Sequence, residues 1–429
     1  MDNQNTLYGP DRIHVLDFLR GIAVLGILVL NIENFAYAKS FNPYLFGFDT
    51  ELDHSVRFWV YYLFQGKFFS IFSILFGVSF YLMMDKLSQK YNGLTAMDIY
   101  ARRLLVLFVI GIAHAYLVWD GDILHHYAIC GLFLFTLRSF GQKQLLLISL
   151  LLCGSIMYNG YERTNRAAEQ YQAYQVAINV EEDDRSSSQQ RAINRWQRRT
   201  SESNPDYYQE DISIRQGSYW DNLLENIDSI KVIKGQLFHD NILFNTLLLM
   251  MIGILLYRTG IFESYQKWRY YWSITSGLLV LSMYLAYGRY HHWSFDYLSP
   301  NTHVIKGVMY SIIYIVQGVS YVLVLNGLYQ KLCQSRHVNW SRYLKPINSV
   351  GRMALTNYLL QSLICVLIFY GYGANLVNQL SRSELLMIIP LIGLFNIVFS
   401  CLYLYYFSQG PMEKLWRKWS YVTSAKSVY

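Results

Sequence analysis

The twenty residues LDFLRGIAVLGILVLNIENF at 16–35 decide the fold. Apart from Asp17, Arg20, Asn31, Glu33 and Asn34 the stretch is apolar, and as a helix rising 1.5 Å per residue it is long enough to cross the hydrocarbon of a bilayer. It carries no small-residue cleavage pattern and ends in polar residues, so the expectation is a first span that is retained. At ~100° per residue, Asp17, Arg20, Val24, Ile27, Asn31 and Asn34 share about one third of the helix circumference. A polar stripe on a membrane helix must look into protein or water. The rise from Arg20 to Asn31 is roughly 16 Å, which suits a path across the membrane. The competing reading is an Asp17–Arg20 pair at the interface, with the asparagines bonding between helices.

The rest of the chain follows this first run. Of 429 residues 53% are hydrophobic and 15% charged, against about 25% charged in soluble domains. Further apolar runs begin near Phe58, Leu104, Ile123, Gln144, Asn241, Tyr271, Val304, Met353 and Leu385. The pattern predicts an all-α polytopic membrane bundle of about ten transmembrane helices with a long external loop. With 7 Pro, 27 Gly and 5 Cys, and neither a glycine period nor a CxxC spacing, disordered, collagenous and disulfide-scaffold classes are excluded. The cysteines read as packing thiols. Walker A, GxGxxG, GxSxG and CxxCH motifs do not occur, which leaves ATPase, Rossmann, serine-hydrolase and haem readings without support, and no basic soluble domain offers itself to nucleic acid.

Lysines and arginines crowd alternate connections, from Arg12 through Lys86, Lys90, Arg102 and Arg103 to Arg352, Arg417, Lys418 and Lys426. The other short loops hold only Lys39, Arg57, Arg289, Lys306 and Arg382. By the positive-inside rule both termini are expected in the cytoplasm. One connection is polar and long, with EEDDRSSSQQ at 181–190, and the expected organisation is an N-terminal half of about five spans (1–158), an external loop or cap (159–235) and a C-terminal half of about five spans (236–429). The cap reads either as an acceptor-binding lid or as a solvated spacer.

Four further places could carry chemistry. WDGDILHHYAICG at 119–131 sets Asp122 one turn before His125 and His126, the acid–imidazole arrangement a general base needs. The same residues also suit a plain interfacial cluster, and no metal is expected, because a zinc site wants three or four converging ligands; His291, His292 and His303 lie in another outer loop. In QGKFFSIFSILFGVSF at 65–80 the recurring Ser70, Ser73 and Gly77 predict close helix packing, whereas Lys67 needs a partner or an anionic ligand. INSVGRMALTNYLLQS at 347–362 places Asn357 and Gln361 on one face, for interhelical bonds or substrate. His114, alone in its span, reads as a satisfied core histidine.

Together these motifs, with QGPMEKLWRKWSY at 409–421, resemble the YeiB-like family of bacterial multi-pass membrane proteins over nearly the whole chain. That family is more remotely similar to heparan-α-glucosaminide N-acetyltransferase and the transmembrane acyltransferases. The resemblance implies a bacterial plasma-membrane protein that takes an acyl group from cytoplasmic acetyl-CoA or another acyl-CoA and delivers it to an external hydroxyl or amine. In the acetyltransferase the key histidine follows an asparagine matching Asn31; here the only histidine of that segment, His54, stands elsewhere, so the role falls to His125 or His126. The expected catalytic set is therefore His125, His126, Asp122 and Asn31, with Asp17, Arg20, Lys67, Asn34, Asn357 and Gln361 binding donor or substrate. Expected partners are membrane lipids and a small-molecule or glycan acceptor, and a homo-oligomer is left open. Two other readings compete: a solute or ion transporter, against which the lack of paired Pro and Gly interruptions counts, and a non-catalytic membrane sensor.

Overall fold

The computed structural model describes residues 13–38, 44, 47–200, 209–236, 242–295 and 304–421, and among these no strand occurs. Arg12, Lys39, His303 and Lys426 lie outside the described residues. The helices in chain order are α1 (His14–Ala36), α2 (Glu51–Leu63), α3 (Lys67–Lys90), α4 (Gly93–Leu117), α5 (Leu124–Thr136), α6 (Gln142–Ile178), α7 (Ser187–Thr200), α8 (Gln209–Arg215), α9 (Tyr219–Gln236), α10 (Ile242–Arg258), α11 (Tyr271–Phe295), α12 (Val304–Ser311), α13 (Ile313–Cys333), α14 (Trp340–Arg352), α15 (Ala354–Phe369), α16 (Arg382–Tyr406) and α17 (Pro411–Ser420). Every apolar run read from the sequence is helical. Four stretches, α1, α2 with α3, α6 and α16, are long and apolar enough to cross a membrane, and the bent pair α14–α15 makes a fifth. The protein is an all-α helical membrane protein.

α1 lies at the centre of the bundle, packed by α3, α13, α14, α15 and α16. Its aliphatic residues Leu19, Ala23, Val24 and Leu28 are all but fully buried, in keeping with a helix that is apolar nearly all round. Small residues let its backbone touch α14: a side chain on Gly351 would overlap the Asp17 carbonyl oxygen, and one on Gly21 would overlap that of Ile347. The predicted packing role of Gly77 is met in the same way, against Met250 of α10.

α14 and α15 meet at 75°. Met353 leaves the helical region (φ −113°, ψ 34°) just after Gly351, with Pro346 inside α14. The bend breaks one span of the C-terminal half. The N–H groups freed at the start of α15 are not left open: the Glu413 carboxylate of α17 accepts from Leu355 N (2.8 Å), Thr356 N (3.1 Å) and Thr356 Oγ1 (2.5 Å).

The polar connection is helical. α6 runs unbroken for 37 residues through the boundary expected at 158, and α7 folds back on it with Trp196 against Tyr171 and Tyr174. α8 and α9 then lie over the end of the bundle, where Asn226 Nδ2 and Tyr219 Oη donate to the carbonyls of Tyr116 and Leu117 at the end of α4.

Candidate functional site

A cavity of about 1220 Å³ opens at the end of the bundle where α1 begins. Its walls come from α1, α3, α4, α5, the α14–α15 bend and α17. These include the first, second, fourth and ninth predicted spans. Cations surround the mouth: Arg20, Lys86, Lys90, Arg103, Arg352 and Arg417, against the carboxylates of Asp17 and Glu413. The deeper walls are Phe72, Leu75, Phe76, Leu107, Leu124 and Tyr127. An amphiphile with an anionic head matches such a division of charge and apolar surface.

Two of the expected residues meet there. Arg20 Nη1 donates to Asp17 Oδ1 at 3.0 Å and Nη2 to Ser79 Oγ at 2.7 Å, with the Arg20 side chain 27% exposed into the cavity. α17 closes the wall beside them: Trp416 Nε1 donates to the Arg103 carbonyl at 2.8 Å, and the Arg103 guanidinium lies 4.3 Å from the Trp416 ring centre. Burial pushes the Glu413 carboxyl above its usual range, with the donors of Leu355 and Thr356 pulling the other way.

The inner end abuts a buried acid with two imidazoles. Asp122 Oδ2 faces His125 Nδ1 at 2.9 Å and accepts His125 N at 3.1 Å, while Oδ1 faces His114 Nδ1 at 2.8 Å. An ionised carboxylate only accepts, so both facing Nδ1 atoms carry protons and both Nε2 atoms are left as bases. His114 Nε2 is buried without a hydrogen-bond partner, and the His125 side chain is 11% exposed. None of the three side chains lines the cavity, and His125 is the least buried of them. Ile123, Leu124 and Tyr358 line the cavity and flank this cluster; the Tyr358 hydroxyl accepts Ile123 N at 3.4 Å, and its ring lies 5.4 Å from that of His114. Gly111 makes the approach of α4 and α5 possible, since a side chain there would overlap His125 N and crowd Asp122 Oδ2.

His114 is buried and hydrogen-bonded, as expected of a core histidine, and the structure adds that its partner is Asp122. The histidine stands eight residues before Asp122, and the turn at Trp119–Gly121 brings the chain back over the end of α4. A histidine in the last turn of an apolar helix, followed by a Gly turn and an acid, was the signal available.

The other expected residues are dispersed. His126 points away from Asp122, as successive helix residues must, and its Nε2 lies 2.9 Å from Thr246 Oγ1 of α10. Lys67 is buried and donates to the Tyr62 carbonyl at 2.5 Å, outside the cavity lining. Asn357 Nδ2 bonds Ser400 Oγ (2.8 Å) and the Val350 carbonyl (3.2 Å), and Gln361 Nε2 bonds the Val24 carbonyl (3.1 Å), so both join helices. Asn31 is half-buried and Asn34 exposed in the C-terminal half of α1, where the Asn34 carbonyl accepts from Arg215 of α8 at 2.8 Å. His54 is exposed and pairs with Asp49 at 2.5 Å.

Fold and site define a helical membrane protein with an internal cavity that is cationic at its mouth and ends beside a buried acid–imidazole cluster. Residues 256–423, which include the α14–α15 bend and α17, match the family described as a protein of unknown function (DUF418). Over nearly its whole length the chain is similar to the uncharacterized protein YxaH of Bacillus subtilis (28% identical; 96% of this chain, 95% of the relative). It is likewise similar to the uncharacterized protein YeiB of Escherichia coli (27% identical; 95% of this chain, 96% of the relative). The resemblance to YeiB-like membrane proteins is therefore borne out along the chain, and it brings no activity with it. No solved structure matches.

Proposed function

We propose that the protein is a membrane-embedded acyltransferase whose donor, acetyl-CoA or another acyl-CoA, enters the cavity from the cationic end. The observation that carries this reading is the cavity itself, with cations at its mouth, apolar depth, and the His125–Asp122–His114 cluster behind the lining residues Ile123, Leu124 and Tyr358. Arg20 and its cationic neighbours hold the phosphates of the donor, and the apolar walls take the acyl arm. Lys67, buried elsewhere, has no part in donor binding.

In the reaction the acceptor hydroxyl or amine gives a proton to His125 Nε2 as its heteroatom attacks the thioester carbonyl. The new C–O or C–N bond forms, the C–S bond breaks, and the thiolate leaves, taking up a proton. Asp122 fixes the His125 tautomer and stabilises the imidazolium. In this scheme the cationic end is cytoplasmic, the protein resides in a bacterial plasma membrane with both termini inside, and the acceptor arrives from outside.

The test is titration of acetyl-CoA and longer acyl-CoAs into the purified protein in detergent, with Arg20→Ala alongside. Saturable binding weakened by about tenfold or more in the variant supports the scheme, that factor being about 1.4 kcal/mol. Folded protein that binds none of them refutes it. The bent α14–α15 pair favours transport as a second reading, because broken spans are a transporter device. Substrate-dependent flux in liposomes without acyl transfer would establish that alternative.

A further inference from the structure

Few cations are assigned to the face opposite the cavity mouth, and three of them, Arg57, Arg289 and Arg382, come from separate segments yet surround a group of tyrosines. Arg382 begins α16, and its guanidinium stands 4.9 Å from the Tyr44 ring centre and 5.8 Å from that of Tyr37. Arg57 of α2 lies over the same Tyr44 ring at 5.4 Å and over Tyr61 at 5.6 Å. Arg289 bonds Tyr314 Oη at 2.9 Å, and Tyr290 beside it packs on Tyr61 and Phe58. From Arg20 at the cavity to Glu33 in this group α1 rises roughly 20 Å, so the two places lie at opposite ends of the bundle.

The carboxylates nearby are engaged, Glu384 by Ser381 N at 2.7 Å. Glu33 meets Arg382 Nε at 3.2 Å. Asp53 is taken up by Ser383 N (2.9 Å) and Thr50 Oγ1 (2.7 Å), and Asp49 by His54. Among the described residues Arg57 has no carboxylate partner. Two guanidinium nitrogens inside the group, Arg382 Nη1 and Arg57 Nε, are buried without a hydrogen bond, and Arg382 as a whole is only 7% exposed. Unmet donors on a buried guanidinium are costly, and a planar fork beside aromatic faces is the usual recognition element for an oxyanion.

We propose that Arg57 and Arg382, framed by Tyr37, Tyr44 and Tyr61, form a binding site for a phosphate oxyanion, carried either by a lipid headgroup of the facing leaflet or by a water-soluble phosphorylated compound. The site is independent of the cavity and of the acyl-transfer reading.

The protein is reconstituted in nanodiscs of zwitterionic phosphatidylcholine and titrated with inorganic phosphate while thermal unfolding is followed. A second arm replaces one fifth of the lipid with phosphatidylglycerol. Arg57, the more exposed of the two arginines, is changed to Gln and, separately, to Lys, which keeps the charge and loses the fork. The expected result is a rise in unfolding temperature in at least one arm for the wild type, absent in R57Q and reduced in R57K. A response to phosphate assigns the soluble source, and a response to phosphatidylglycerol alone assigns the headgroup. Folded wild-type protein unmoved in both arms overturns the proposal, and so does a response that R57Q retains in full. Should R57Q fail to fold, the wild-type titrations and R57K decide.

Discussion

In the proposed scheme the chemistry rests on three side chains, His114, Asp122 and His125, that fall within the twelve residues 114–125. His125→Ala is expected to lower turnover by about 10²–10⁴ while acyl-CoA binding stays intact, checked by steady-state assay beside equilibrium titration. Turnover at the wild-type rate would remove His125 from the scheme. Asp122→Asn keeps the shape but no longer dictates that both Nδ1 atoms carry protons, so turnover should fall without a change in donor affinity. Gly111→Val should lose transfer too, by forcing α5 away from α4, and should cost about 1–3 kcal/mol in stability; a Val variant that unfolds and turns over like the wild type would show that the close approach is dispensable. The acid and its adjacent histidine were legible from WDGDILHH. The partnership with His114 was not, because eight residues along a chain place two groups in contact only once the turn between them is known.

At the scale of the helix, α17 is the element whose role depends most on its surroundings. It is ten residues long, too short to hold itself together in water, and it is kept in place by Trp416 on Arg103 and by Glu413 on the start of α15. Glu413 has a raised pKa in the folded protein, so the folded state holds its proton more tightly than the unfolded chain does. The contribution of the protonated acid is full below its ordinary value of 4.5 and is lost as pH rises through the raised folded value. Thermal stability should therefore decline from about pH 4.5 upward by this contribution, and Glu413→Gln should flatten that part of the profile. An unchanged profile in the variant would assign the pH dependence to other groups. Asn357 and Gln361 teach the complementary lesson: a polar pair four residues apart on a membrane helix is equally suited to substrate or to neighbouring helices, and here Ser400, Val350 and Val24 are what they meet.

At the scale of the molecule, charge and cap together define two different ends. Reporter fusions should place both termini in the cytoplasm and the α6–α9 segment outside, since the cationic mouth obeys the same charge asymmetry that orients the chain. An external terminus would reverse the direction of the proposed transfer. The cap is tied to the bundle through Arg215, 5% exposed, which reaches the Asn34 carbonyl and the Tyr370 hydroxyl. Arg215→Gln should loosen α8 and α9, measured as faster amide exchange in 209–230, with cavity binding of acyl-CoA unaffected. Exchange at the wild-type rate would show that the cap is held by its other contacts.

The sequence by itself determined the helical membrane class, the ten apolar runs and the polar face of the first helix, because each follows from the local period and length of apolar residues against a fixed bilayer thickness. It also determined that Lys67 carries a cost unless partnered, since charge in an apolar run is a local property. Tertiary structure alone decided where the partners are. Gly21 and Gly351 bring α1 against α14, the break at Met353 aims the start of α15 at Glu413, and the turn after α4 carries Asp122 back to His114. Each of these joins residues through backbone approach or a change of direction, which depends on which surfaces meet and leaves no periodic trace in the chain.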